Sequence, residues 1–279
     1  MKYVVLHALS FLFILNTQAQ KVSIELFGGA SNYQGDLQDK RFTFNQAHVA
    51  GGLGVHYSLS DHFSVRTGVL LGKVSGDDKL GRNKIRNLNF TSGITDVHLA
   101  LQYYITPLGK NPLTPYVFAG VGLYHFNPYT FDTTNSKYFL RPLSTEGQGF
   151  LAGKNYYQLT QFNIPFGAGV KLALSENLNV GLEVSMRKLF TDHLDDVSTE
   201  YVDQNLLIAN RGPKAVELAF RGGELKNGGF YPPAGTARGG AKNKDWYYFT
   251  GLTLSFKLGN GTVGHSGKHS QYGCPVNVY

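Results

Sequence analysis

The sequence predicts an all-β fold: an eight-stranded antiparallel transmembrane β-barrel with long extracellular loops and short periplasmic turns. Three observations predict it. Two neighbouring stretches alternate apolar and polar residues for longer than soluble strands do. Comparable stretches bring the total to eight. The connections between them are alternately long and short.

The clearest stretch is 159–190. Phe162, Ile164, Phe166, Ala168, Val170, Leu172 and Leu174 alternate with Gln161, Asn163, Pro165, Gly167, Gly169, Lys171 and Ala173. After the turn Ser175-Glu176-Asn177, Leu178, Val180, Leu182, Val184 and Met186 alternate with Asn179, Gly181, Glu183, Ser185 and Arg187. A period of two is the signature of a strand with two unlike faces. Soluble strands run about 5–6 residues, whereas a tilted strand needs about 9–11 to cross a bilayer. One face is unbroken hydrocarbon; the other is small or polar with few charges of mixed sign. A soluble lipocalin-like barrel would place its apolar residues inside and show frequent Lys and Glu outside. The pattern favours lipid on the apolar face and a narrow plugged lumen.

The other strands are expected at about Val22–Ala30, His48–Leu59, Phe63–Leu71, Ile94–Ile105, Tyr116–Phe126 and Trp246–Leu258. The register of the stretch YVFAGVGLYHF stays open, because it is apolar on both faces. Short connections at 59–62, 106–114 and 175–177 belong to one, periplasmic, side. Long loops are expected at about Lys73–Ser92, Asn127–Gln158 and Thr191–Asp245, besides the one after the first strand. Tyr57, Phe63, Tyr103 and Tyr104 on the turn side, with Trp246, Tyr248 and Phe90 on the loop side, suit interfacial girdles. The 34 glycines in 279 residues, about 12% against a usual 7% or so, suit a tightly curved barrel.

Residues 1–19 read as a secretory signal: Lys2, the apolar run Val4–Leu15, and small residues in Thr17-Gln18-Ala19. The barrel would occupy 20–258 and a flexible periplasmic tail 259–279. The apolar run is too short for a helical span. Cys274 is the sole cysteine, which rules out an intramolecular disulfide and weighs against a cysteine metal cluster. A net charge of +7 comes without any nucleic-acid motif; anionic lipid or an acidic protein suits it better.

The polar faces send Glu25, Arg66, Asp96, His98, Lys171, Glu183, Arg187 and Lys257 into the lumen. Eight strands enclose room for side chains only, so these charges are expected to form a salt-bridge plug. Whether Lys171 and Glu183 pair is open. His125, Ser136, Ser144 and Glu146 are the residues a lipid-modifying enzyme would draw on, without diagnostic spacing. No catalytic, cofactor or metal site is assigned. The run TDHLDDVSTEYVD carries Asp192, Asp195, Asp196, Glu200 and Asp203 with no Lys or Arg. It reads first as a solvated turn and second as an extracellular contact for protein or lipopolysaccharide; its spacing is not that of an EF-hand loop.

Seven motifs carry a resemblance: SNYQGDL (Ser31–Leu37), SGDD (Ser75–Asp78), RNLNF (Arg86–Phe90), YHFNP (Tyr124–Pro128), LRPLSTEGQG (Leu140–Gly149), LTQFNIPFGAGVK (Leu159–Lys171) and LFTDHLDDVSTEYVD (Leu189–Asp203). Together they resemble the uncharacterised-domain family of Bacteroidota outer-membrane barrels that includes the PorG component of the type IX secretion system. The likeness spans nearly the whole mature chain and is weakest in 211–244 and 259–279. It implies a non-enzymatic, structural role, with a periplasmic ring lipoprotein of the secretion and gliding machinery as partner. A small lipid-processing or ligand-binding barrel is the alternative.

Overall fold

The computed structural model describes residues 21–38, 43–107 and 111–258. The expected signal at 1–19 and tail at 259–279 lie outside the described residues. Ten strands form: β1 (Val22–Gln34), β2 (His48–Ser58), β3 (Phe63–Asp77), β4 (Asn89–Tyr104), β5 (Leu113–Phe126), β6 (Tyr129–Phe131), β7 (Lys137–Phe139), β8 (Thr160–Ala173), β9 (Leu178–Leu189) and β10 (Trp246–Lys257). Eight of them, all but β6 and β7, pair antiparallel with the next in chain order, and the pairing of β1 with β10 closes the ring. No edge remains to offer unpaired backbone groups to lipid, as a spanning sheet requires. No described helix is long and apolar enough to cross a membrane.

The side-chain alternation decides what faces what. Leu182, Leu99, Val121 and Phe162 are each more than 50% exposed, while Glu183, Asp96 and Arg187 are at most 1% exposed. Adjacent residues of one strand are thus hydrocarbon outside and charge inside, the reverse of a soluble barrel. The open register of β5 resolves the same way: Val117, Val121 and Leu123 point out, and Tyr116, Phe118 and Tyr124 point in.

Glycines make the plugged interior possible. Glu25 lies opposite Gly54, and Glu183 lies opposite both Gly169 and Gly251. A methyl group on Gly169 would sit 2.5 Å from the Tyr116 ring, and one on Gly122 would collide with Asn163 Oδ1. Large lumen groups fit because their cross-strand neighbours have no side chain.

Several expectations need correction. Strands β3 and β4 run through most of the expected 73–92 loop, leaving a short connection at 78–88. Six residues past Leu71, at about 3.3 Å each, this hairpin carries its turn roughly 20 Å of strand beyond the apolar belt. Strand β1 likewise continues to Gln34. The 127–158 loop contains the β6–β7 hairpin, joined to β4 at Thr91. The 191–245 insertion contains helices α1 (Gln204–Arg211) and α2 (Pro213–Ala219).

The girdle assignment holds for Tyr57, Phe63 and Tyr103, which are exposed on the turn side, but fails for Tyr104, Phe90 and Tyr248. Consecutive residues of a strand face opposite ways, so Tyr104 must enter the lumen when Tyr103 leaves it. Phe90 shares the inward parity of Asp96 and packs edge-on against Tyr33 at 4.9 Å. Tyr248 is buried where the 191–245 insertion closes onto the barrel end, marked by the Asp245 N–H bond to the Thr191 carbonyl.

Candidate functional site

The described polar residues gather in three places. In the turn-side half of the lumen, Lys171 Nζ lies 2.7 Å from Glu25 Oε2, and Ser255 Oγ donates to the same oxygen. His56 Nε2 is 3.1 Å from Glu25 Oε1. Arg66 grips Glu183 through two nitrogens at 2.6 and 3.1 Å, the Tyr116 hydroxyl donates to Glu183 at 2.8 Å, and the guanidinium lies 4.3 Å over the Phe118 ring. Lys171 therefore pairs with Glu25, not with Glu183. Two cations meet two anions, which leaves no net buried charge.

In the loop-side half, Asp96 is the hub. Arg187 reaches its two oxygens at 3.1 and 3.2 Å. Asn163 Nδ2 and the Tyr247 hydroxyl donate at 2.8 and 2.7 Å, and His98 Nδ1 is 3.2 Å away. Of the eight residues expected in the lumen, all but Lys257 thus fall in two separate, internally neutral clusters. Lys257, at the lumen mouth, is only half-buried. A cavity of ≈ 10 Å³ beside Glu25, His56, Arg66 and His98 is about the least a single water occupies. The described side chains of both clusters pack closely, none more than 5% exposed.

Above the belt the outer segments fold into a packed cap. Tyr33, Leu37, Phe90, Leu140, Leu194 and Val197 share one apolar core with upper-lumen residues such as Tyr124 and Phe249. The acidic run turns into this cap, contrary to a solvated turn. Asp192, Asp195 and Asp196 are at most 2% exposed and present no outer contact surface. Asp203 is exposed and caps helix α1, accepting the Leu206 N–H at 2.9 Å. Asp195 accepts the Tyr33 hydroxyl at 2.5 Å, and Asp245 lies 3.3 Å from that hydroxyl. Asp196 accepts from Thr145 and Tyr157. Glu146 accepts the Ser198 and Thr199 N–H groups and Arg238. Arg86 pairs with Asp78 at 2.7 Å. Among the described residues neither oxygen of Asp192 has a hydrogen-bond partner of good geometry.

Carboxylates outnumber guanidiniums in the cap, and the proton equilibria follow. Burial, reinforced by the charges of Asp36 and Glu146, pushes Asp192 up to about 7. Burial pushes Asp196 up to about 6, against the pull of Arg238. Burial also raises Asp195 and Asp245 well above the ordinary carboxyl range. Glu146 goes the other way: burial opposes its charge, but Arg238 and the donors around it prevail.

The residues an enzyme would draw on have separate partners. His125 bonds Thr160, Ser144 bonds Tyr156 and Arg211, and Glu146 serves the 198–199 backbone and Arg238. Ser136 is exposed in the turn after β6, where its Oγ lies 3.2 Å from that of Thr134. Among the described residues no group of His, Cys, Asp and Glu is arranged to hold a metal ion. Sequence reasoning missed the cap residues Tyr33, Asp78, Arg86, Arg238 and Asp245. Five of the seven motifs above (those at 31–37, 75–78, 86–90, 140–149 and 189–203) contribute to the cap, which was the available signal.

Charge within, hydrocarbon without and a sheet with no open edge define a transmembrane β-barrel of the outer-membrane type. The chain belongs to the DUF6089 family, a domain of unknown function, whose model matches residues 2–210. No curated protein matches it. Solved structures to which it is similar include Neisserial surface protein A, at 9% identity over 85% of this chain and 97% of that one with a TM-score of 0.42. Ail, the attachment invasion locus protein of Yersinia pestis, matches at 10% over 84% and 97%, with a TM-score of 0.38. OprG of Pseudomonas aeruginosa matches at 13% over 86% and 98%, with a TM-score of 0.36.

Two outcomes are expected. Glu183→Leu leaves Arg66 buried without its main partner and costs about 3–5 kcal/mol. Arg66→Met added to it recovers more than half, because Glu25, Lys171 and His56 still satisfy one another. Urea unfolding in lipid vesicles reads both; a double variant as unstable as the single would contradict the pairing. The cap is also pH-dependent. A carboxyl whose folded pKa is raised contributes stability that is full below its unfolded value of about 3.9 and lost as pH rises through the folded one. Protection of the 191–198 amides from hydrogen exchange, corrected for intrinsic rate, should therefore fall as pH rises from about 4 toward the folded values of about 6 and about 7. Asp192→Asn should remove the part of that fall that levels off only near pH 7; protection that does not change with pH would contradict it.

Proposed function

We propose that this barrel is a structural outer-membrane component of a type IX protein secretion and gliding machinery in Bacteroidota, anchoring a periplasmic ring assembly. The observation that carries the reading is the packed lumen. With two neutral ion clusters filling its interior, the barrel offers surfaces and not a pore. The seven motifs that resemble the PorG-like family supply the particular machinery. Membership of a family whose domain has no assigned function leaves room for that role and does not itself supply it.

On this reading the protein is not an enzyme and needs no cofactor. Its partners are outer-membrane lipid around the belt and a periplasmic ring lipoprotein at the turn end, where the turns at 59–62 and 175–177 carry exposed Asp61 and Glu176. Nucleic acid has no place in it. The cap would hold the outer end rigid while load is applied at the inner one.

Affinity capture from gently solubilised envelopes tests the proposal. The ring lipoprotein is expected to co-isolate with the intact chain, and less of it with Asp61→Lys and Glu176→Lys combined. Isolation of a clean monomer, together with altered lipid A masses in a deletion strain, would overturn it in favour of a lipid-processing barrel.

A further inference from the structure

Along the outward faces of the eight barrel strands, fixed charge is confined to Lys73 and Asp77 on β3 and Lys188 on β9. Lys73 stands opposite Gly93 and shares its strand face with Asp77. Lys188 is placed differently. Leu178, Val180, Leu182, Val184 and Met186 occupy five successive outward positions of β9. That run covers about 26 Å of strand, or roughly 20 Å of depth at the usual tilt, most of an apolar band about 25 Å tall. Lys188 is the next outward position on the cap side, and it is exposed. It therefore stands where the hydrocarbon of the outer leaflet ends and the headgroups begin.

Its surroundings are built from rings. Lys188 is in register with Ile164 on β8 and Trp246 on β10. Although β9 lies between those two strands, the Trp246 ring sits edge-on to Phe166 of β8, 6.0 Å between centroids. Phe166 is in register with Met186, one outward position nearer the belt than Lys188. The indole thus crosses the outer surface of β9 and forms, with Phe166, an aromatic shelf on the belt side of Lys188. Glu183 is the one carboxylate on β8, β9 and β10, and it points into the lumen. The outward face of these three strands therefore carries positive charge alone. Lys244, two residues ahead of Trp246, is exposed too. Its Nζ donates to the Ala241 carbonyl at 3.0 Å, and an ammonium has two further N–H groups. The Asp245 N–H bond to the Thr191 carbonyl ties this segment to the end of β9.

We propose that Lys188, Lys244 and the Trp246–Phe166 shelf hold one phosphorylated glycolipid of the outer leaflet. A phosphate on the sugar accepts from the two ammonium groups. The acyl chain beneath it packs against the shelf and runs down along Met186 and Val184. Tryptophan and lysine are common at membrane interfaces; here the shelf adds a shape that fits one lipid instead of a bulk headgroup layer. A soluble anion would meet the lysines and leave the shelf unused. A protein partner would have to displace lipid from Met186 and Val184. The inference rests on the membrane placement and is independent of any secretion role.

Trp246 is the sole tryptophan of the chain, so its emission reads the site directly. The full chain is reconstituted in phosphatidylcholine vesicles that carry increasing fractions of diphosphoryl lipid A. Dephosphorylated lipid A with the same acyl chains, phosphatidylglycerol at matched charge, and inorganic phosphate are the controls. A saturable emission change is expected with the phosphorylated glycolipid, and a half-saturation about fivefold or more higher with each control. Lys188→Gln should raise the half-saturation about fivefold, the effect of one cation at a membrane surface, and Lys244→Gln about two- to threefold. Lys188→Arg should keep the parental value. Phe166→Ala should raise it several-fold through lost apolar contact. Lys226→Gln, at an exposed lysine of the cap, should leave it unchanged. Lys188 and Lys244 are exposed, so their variants keep the fold whatever Phe166→Ala does. An emission that never saturates, a control that matches the phosphorylated glycolipid, or parental half-saturation in Lys188→Gln would overturn the proposal.

Discussion

Hydrocarbon offers a backbone amide nothing to bond to, and the architecture follows from that one constraint. A sheet that spans must close on itself, and here the pairing of the first strand, β1, with the last, β10, closes it. Closure with eight strands leaves an interior wide enough only for side chains. Whatever polar groups enter it must satisfy one another there, because water reaches them poorly and the lipid not at all. The Arg66–Glu183 and Arg187–Asp96 clusters are the solution this chain adopts. Breaking a pair would cost more than the pair itself contributes, since the abandoned charge has nowhere to go.

The same logic continues outward. Beyond the belt the chain is free to use ordinary soluble-protein packing, and it does so in the cap. Apolar residues from the ends of β1, β3, β4 and β10 join Leu140, Leu194 and Val197 in one core. The cap differs from the lumen in its charge balance. Lumen clusters are neutral pair by pair, whereas the cap buries more carboxylates than guanidiniums. It therefore relies on shared protons and on backbone N–H donors such as those of Val197, Ser198 and Leu194. A barrel rigid at its centre and proton-sensitive at its outer end results.

How much of this was legible in the sequence depends on the distance over which each feature is decided. The alternation in 161–187 is local, and it placed every lumen charge of β8 and β9 on the correct face. The β5 stretch was not legible by the same means, because a narrow lumen accepts Tyr116, Phe118 and Tyr124 as readily as lipid accepts Val121. Pairing was not legible either. Lys171 and Glu25 are 146 residues apart, and Arg66 and Glu183 are 117 apart; only the closure of the barrel brings them together. The acidic run misled for a related reason. Its five carboxylates look alike in sequence, yet Tyr33, Arg238 and the 145–146 segment, all remote in sequence, help bury Asp192, Asp195 and Asp196 while Glu200 and Asp203 stay exposed.

The inverted distribution of solvent is the claim on which the rest stands, and spin labels read it directly. Single cysteines in a Cys274→Ser background at Leu182, Gly181 and Thr253, labelled in lipid vesicles, should differ sharply. Leu182 should be relaxed by oxygen and shielded from a water-soluble nickel chelate. Gly181 and Thr253 should label poorly or be shielded from both reagents. A label at Leu182 that collides freely with the nickel chelate, with oxygen accessibility no higher than at Thr253, would mean that this face meets water, and the membrane placement would fall with it.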